Sequence, residues 1–238
     1  MHLREKSQIP FENRILGTLP TGEYARLAPY LEVVRLPAGR VLCEAGGSIR
    51  YLYFLKGGMA SLLSLTEDGR SVEVGMIGNE GVIGLPGILG IDAAPYRVVM
   101  QLPANALRIR AGVLRAEFDR GGRLQKMLLR YMHTLLTQIS QSAACNRYHT
   151  MKARLCRWLL VSLDHTHTDT LRLTQEFLSQ MVGAPRTRVT MVARDLQRTG
   201  LIRHSRGKIT ILDKRGLEAR SCECYRIVRE QISHYLAA

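Results

Sequence analysis

The chain has no uninterrupted apolar run approaching the roughly 18–20 residues that span a bilayer. Its opening residues, MHLREKSQIPFENR, carry charges but no apolar stretch of the kind a secretory signal needs. These absences, with a mean hydropathy of −0.06, predict a soluble cytoplasmic protein with no membrane partner. Cysteine is sparse: Cys43, Cys145, Cys156, Cys222 and Cys224 are odd in number and scattered. That excludes a disulfide framework and fits a reducing compartment. No GxxxxGK[ST] phosphate loop occurs and no nucleophile–base–acid arrangement stands out, so an enzyme is not expected. Internal repeats and low-complexity tracts are also missing.

Positive charge is abundant. The 238 residues carry a net charge of +14. From Thr150 onward, 16 Lys/Arg stand against 8 Asp/Glu, so +8 falls in the last 89 residues. Such an excess favours polyanions, whether nucleic acid or anionic membrane, and does not by itself choose between them. With 46% hydrophobic residues, the chain can bury the cores of two modest domains.

Three patterned regions follow one another. From about Leu31 to Arg110, short apolar runs (LEVVRL, RYLYFLKGG, MASLLSL, RSVEVGMI, YRVVMQL, ALRI) alternate with Gly, Pro and Asp turns. This predicts strands of an antiparallel roll or barrel, preceded by short helices between Glu12 and Leu31. From about Ala111 to Ser142 the period becomes helical, with a break or kink expected at Gly121-Gly122. Leu129, Met132, Leu136, Ile139 and Ala143 form a seam at heptad spacing, beside a second row of Leu128, Tyr131 and Leu135. One row can cover the helix's own roll while the other meets a second copy, and the pattern leaves open which does which. The alternative is an ordinary amphipathic helix buried against one domain. The expected division is 1–110 for the roll with its flanking helices, 111–145 for the dimerisation helix and 146–238 for the C-terminal domain.

The sharpest signal is TQEFLSQMVGAPRTRVTMVARDLQR, Thr174 to Arg198. Thr174 is a candidate N-cap, Glu176 suits the positive first turn, and Leu178, Met181 and Val182 form a buried face at i, i+3, i+4. Gly183 can take the left-handed conformation that ends a helix, and Pro185 suits the start of the next. There, Val189, Val192, Ala193 and Leu196 point inward, while Thr187, Thr190, Met191, Arg194 and Arg198 point away. This is the layout of a helix-turn-helix DNA reader. Arginine in the first turn of a reading helix can pair with O6 and N7 of guanine, so Arg186 and then Arg188 are the candidate base readers. Thr187, Thr190 and Met191 would make shorter contacts, and Gln175 a phosphate contact. Ile202 to Leu212 predicts a hairpin wing turning near Arg206-Gly207, with Arg203, Arg206 and Lys208 placed to touch phosphates. A helical hairpin with a merely solvated basic face is the competing reading.

Two polar clusters have ordinary explanations. Cys222-Glu223-Cys224 could bind a soft metal, but no second pair lies nearby in sequence, so helix packing is the expectation and no metal is assigned. His165 and His167, with Asp164 and Asp169, read as a polar loop rather than a metal clip.

With these motifs in place, nearly the whole chain resembles the cyclic-AMP receptor protein/FNR (Crp/Fnr) family of transcription regulators. YLYFLKGGMASL is similar to the early strand-turn-strand of its cyclic-nucleotide-binding β-roll. The Ala111–Ser142 helix resembles its dimer helix, and TQEFLSQMVGAPRTRVTMVARDLQRTGLI with RHSRGKITI its winged helix-turn-helix. The resemblance implies an α+β fold: an N-terminal cyclic-nucleotide-binding-like antiparallel β-roll, a long dimerisation helix and a C-terminal winged helix-turn-helix. It also implies a homodimer on double-stranded DNA with a two-fold-related site, and contact with RNA polymerase. Cyclic-AMP-binding members carry an acid after the glycine that Gly84 matches, then an Arg-Ser pair. Here Leu85 and Pro86 follow Gly84, and Pro95-Tyr96 with Arg97 stand where the pair belongs. Leu85 cannot accept a hydrogen bond from a ribose hydroxyl, which speaks against cyclic AMP. Gly84, Leu85, Pro86, Tyr96 and Arg97 remain the candidate lining of an effector pocket. Iron–sulfur members use an N-terminal cysteine cluster, and this chain has no cysteine before Cys43. No cofactor is therefore expected. The alternatives are a sensor gated by a small molecule in the roll and a cysteine-based redox or metal switch.

Overall fold

The computed structural model describes residues 13–166, 168–173, 175–205 and 207–237. Two short helices, α1 (Arg14–Gly17) and α2 (Thr21–Leu27), lead into the strands β1 (Glu32–Leu36), β2 (Val41–Cys43), β3 (Tyr51–Leu55), β4 (Met59–Leu65), β5 (Ser71–Ile77), β6 (Arg97–Leu102) and β7 (Ala104–Arg110). They form two antiparallel sheets, β1-β7-β3 and β2-β6-β4-β5. This is the roll that the interrupted apolar runs predict.

Strand β4 explains why MASLLSL reads as an almost continuous apolar run. Successive side chains of a strand point to opposite faces. Ala60 and Leu62 enter the core of the roll, while Met59 and Leu63 enter a second core shared with the C-terminal domain. Both faces of the strand are therefore covered, and alternation with polar residues is lost.

The helical region is broken where the two glycines stand. Helix α3 (Ala111–Asp119) stops and α4 (Arg123–Tyr148) starts around Gly121 and Gly122, which have φ of 80° and 95°. Glu23 caps the new helix: its carboxylate accepts from Arg123 N at 2.9 Å and Leu124 N at 2.8 Å. Arg26 forks onto Glu117 at 2.6–3.1 Å, holding α2 against α3. Helix α4 runs on past residue 145 to Tyr148, with Gln138, Ser142 and Cys145 buried along its inner row. The chain breaks instead at His149 and Thr150, where the Thr150 hydroxyl caps α5 (Met151–Asp164) at Ala153 N.

Beyond α5 come β8 (Thr170–Arg172), α6 (Gln175–Val182), α7 (Arg186–Arg198), β9 (Ile202–Ser205) and β10 (Lys208–Ile211). The wing is a three-stranded sheet of order β8-β10-β9. Strand β8 is not legible in the sequence, because three residues give too short a pattern. Its Leu171 pairs opposite Ile209 and is buried with it. Two further helices close the chain, α8 (Lys214–Arg220) and α9 (Cys224–Ala237). Helix α9 packs along α4 and returns Ile232, Tyr235 and Leu236 to the roll's core. The Tyr235 ring lies 5.9 Å from that of Tyr131, and its hydroxyl donates to the Glu80 carbonyl. No described helix is long and apolar enough to cross a membrane.

Candidate nucleic-acid interface

The turn between α6 and α7 is built as its sequence requires. Gly183 has a φ of 56°, a conformation that a β-carbon disfavours. Ala184 N returns to Ser179 O at 3.1 Å, and the Ser179 hydroxyl donates to Ala184 O at 2.6 Å. Arg154 of α5 donates to the Val182 carbonyl, which would otherwise lack a helical partner. Leu178, Met181 and Val182 are buried against Val189, Ala193 and Leu196 of α7, with Val192 half-buried beside them. Lys152 on Asp195 at 2.6 Å ties α5 to α7. His204 N donates to Gln197 Oε1 at 2.7 Å and ties the wing to the same helix.

This packing presents the opposite face of α7 outward. Arg186, Thr187, Arg188 and Arg194 are exposed, and Met191 is 68% exposed. Thr190 is half-buried, with its hydroxyl on Arg186 O at 2.9 Å. On the wing, Arg203 and Lys208 are exposed, while Ile202, Ile209 and Ile211 turn inward. Among the described residues, no carboxylate pairs with Arg186, Arg188, Arg194, Arg203 or Lys208. Thr174 and Arg206 lie outside the described residues, as does the side chain of Gln175.

The roll holds a cavity of about 180 Å³. Gly84, Pro86 and Tyr96 line it, with Cys43, Ile49, Tyr51 and Tyr53. Leu85 does not line it: Leu85 turns into the core, because Gly84 at φ 99° starts a tight 3-10 turn there. Arg97 does not line it either, since its guanidinium lies 3.2 Å from Glu44. Among the described residues, Arg50 is the one cation that lines it. Burial pushes the Tyr96 phenol up to about 12, so it stays neutral.

The two rows of α4 divide as the heptad pattern allows. Leu128, Tyr131 and Leu135 are buried in the roll's core. Leu129 and Leu136 are 50% and 63% exposed, and Met132 and Ile139 are half-buried.

The junction between the roll and the C-terminal domain buries the acid Glu73 among apolar side chains, with a second buried acid, Glu80, beside His165. Glu73 accepts from Ser61 Oγ and from Trp158 Nε1 at 3.3 Å. Burial raises its carboxyl to about 7, against the lowering effects of Ser61, the Arg157 charge and Trp158.

The structure also gathers residues that lie far apart in sequence. Cys145 and His149 stand one turn apart on α4 and at its end, and they meet Cys222 and Cys224. The i, i+4 spacing of Cys145 and His149 is a signal visible in the sequence, since it places both on one side of a helix. Cys156 is separate and buried, its thiol pushed up to about 11 by desolvation. His165 sits 3.6 Å from Glu80, and Asp164 accepts from Tyr225 OH at 2.8 Å and Lys214 at 3.1 Å. His167 lies outside the described residues.

Residues 33–120 match the cyclic nucleotide-binding domain family, and residues 153–220 match the Crp-like helix-turn-helix domain family. No curated protein matches the chain. Among solved structures, a putative Crp/Fnr-family regulator of Eubacterium rectale is 20% identical at a TM-score of 0.69, covering 85% of this chain and 94% of its own. A Crp/Fnr-family regulator of Thermus thermophilus is 23% identical at a TM-score of 0.64, covering 80% and 98%. FixK2 of Bradyrhizobium japonicum is 12% identical at a TM-score of 0.69, covering 81% and 98%. At these identities the likeness to solved structures speaks for the fold.

Proposed function

The chain belongs to the Crp/Fnr family of transcriptional regulators, and from that premise we propose that it is a homodimeric, sequence-specific DNA-binding regulator that works without cyclic AMP. One observation carries the reading: the outward face of α7 has exposed arginines in its first turn that no described carboxylate holds. An arginine held by a carboxylate has its charge offset and up to two of its five donors occupied, whereas Arg186 and Arg188 keep all of theirs for another acceptor. Placed in the major groove, the first turn brings Arg186 and Arg188 to base edges, with Thr187, Thr190 and Met191 beside them. Arg203 and Lys208 engage phosphates and set the register.

Leu129 and Leu136, exposed on α4, support a homodimer through that helix, with Met132 and Ile139 half-buried beside them at the edge of the roll's core. Two reading helices related by a two-fold axis call for a two-fold-related site. The cavity supports independence from cyclic AMP. Gly84-Leu85-Pro86 offers no acid to a ribose hydroxyl, and Arg97 does not line the cavity. Contact with RNA polymerase and a cytoplasmic setting complete the reading, by analogy with the family alone. The test is selection from a random duplex pool by purified, effector-free protein. A palindromic consensus is expected, and no enrichment would overturn effector-free sequence reading.

A further inference from the structure

Four side chains converge at the junction between α4 and the last two helices. Cys145 Sγ lies 3.5 Å from Cys222 Sγ, and Cys224 Sγ lies 3.4 Å from His149 Nδ1. All four candidate ligand atoms fall within 4.8 Å of one another. The three cysteines are buried, and together they form a small core of their own. We propose that Cys145, His149, Cys222 and Cys224 form a tetrahedral site for a single zinc-type divalent cation that clamps the C-terminal helices to the end of α4.

The spacing supports a mononuclear ion. Zinc bonds of about 2.3 Å to sulfur and about 2.0–2.1 Å to nitrogen in a tetrahedron put ligand atoms roughly 3.8 Å (S to S) and 3.6 Å (S to N) apart. The Cys145–Cys222 and Cys224–His149 pairs already lie near that spacing. A four-iron cluster binds each thiolate to a different iron and a two-iron cluster divides its four ligands between two irons, so either needs a wider ligand set than four atoms all within 4.8 Å of one another.

The surroundings match what a metal-bound histidine needs. Only one ring nitrogen of His149 faces the thiols. The other, Nε2, lies 3.2 Å from Glu223 Oε1. A carboxylate on the far nitrogen fixes the tautomer and raises the basicity of the ligating one. Gln141 Nε2 donates to Cys224 Sγ at 3.1 Å, a contact suited to a thiolate. Thiolate is the ligating form of cysteine, so loading the ion releases thiol protons to solvent and affinity rises with pH.

The placement explains what the ion does. Cys145 and His149 belong to the helix that leads from the roll, and Cys222 and Cys224 flank the start of the helix that packs back on α4. One ion therefore closes a loop of 77 residues that contains the whole reading domain.

Elemental analysis of the full-length protein, purified under reducing conditions without chelator, tests this together with cobalt(II) titration of the demetallated protein. One equivalent of zinc per chain is expected. Cobalt should give sulfur-to-metal charge-transfer bands and the intense d–d absorption of a tetrahedral site. Cys224→Ser and His149→Ala should lose the metal or bind it at least tenfold more weakly, while Cys156→Ser and Cys43→Ser keep it. Because a cysteine variant can fail to fold, the wild-type cobalt spectrum stands as the independent measurement. A featureless or octahedral cobalt spectrum would overturn the site. So would metal retained by both ligand variants, or a Cys145–Cys222 disulfide, seen as a loss of two hydrogens by mass, in place of bound metal.

Discussion

The roll and the reading domain differ in how many of their arginines meet a carboxylate. In and around the roll, Arg26, Arg70, Arg97, Arg108, Arg115 and Arg120 each sit on a carboxylate. Between Pro185 and Ile211, Arg198 on Asp195 is the one arginine so paired among the described residues. Exposed pairs add little stability, about 0–1 kcal/mol each, so the contrast is not about holding the fold. It concerns the field that each half projects. Among the described residues, the roll holds six of its arginines in such pairs and leaves others, Arg35, Arg40, Arg50 and Arg110 among them, with no carboxylate partner, while α7 and the wing leave all but Arg198 to act on a polyanion. The charge excess seen in the sequence is thus concentrated in effect, beyond its near-even numerical split between the two halves.

If the free arginines act as a pair of heads, joining them matters most. Leu136→Glu puts charge on the uncovered row of α4 without touching the core. It should turn a dimer into a monomer by analytical ultracentrifugation and lower affinity for a two-fold site by about two orders of magnitude or more, since the second head no longer benefits from tethering. An unchanged sedimentation coefficient would mean that this row is not the seam. Next comes the junction that holds head to roll. Trp158 is fully buried there, and Trp158→Ala should cost about 3–5 kcal/mol in chemical denaturation.

The buried acid Glu73 at the same junction gives a pH signature. Its carboxyl is raised in the folded protein to about 7, so the folded state binds the proton more tightly than the unfolded chain. The stability it contributes is fully present below its ordinary value near 4.5 and is lost as pH rises through about 7. Glu73→Gln should remove that loss, leaving the variant more stable than the parent above neutrality by roughly 1–3 kcal/mol. Denaturation midpoints from pH 5 to 9 would check it, and parallel profiles for the two proteins would refute the buried, protonated acid. The smallest effect belongs to the wing. Lys208→Ala should weaken binding several-fold on every duplex and lower the salt slope by about one.

What could be read from the sequence was local. The turn at Gly183, the apolar steps of Leu178, Met181, Val189 and Leu196, and the outward Arg186 and Arg188 follow from spacing within about twenty residues. The break at Gly121-Gly122 was visible for the same reason. What escaped was long-range. Glu73 looks like one more outward residue of an alternating strand until α5 is laid over it. Cys222 and Cys224 look like a lone pair until α9 brings them to Cys145 and His149, more than seventy residues away. Leu85 and Arg97 stood in the right stretch for the cavity, but a 3-10 turn and the Glu44 carboxylate direct them elsewhere.

The central claim is that the first turn of α7 reads bases. The most direct measurement is the affinity of Arg186→Ala, against the parent protein, for the selected duplex and for a scrambled duplex of equal length at one salt concentration. The account predicts a loss of about 5- to 150-fold on the selected duplex, from roughly 1–3 kcal/mol for one bidentate arginine, with little change on the scrambled one. Equal losses on both would contradict it and reduce Arg186 to a phosphate contact.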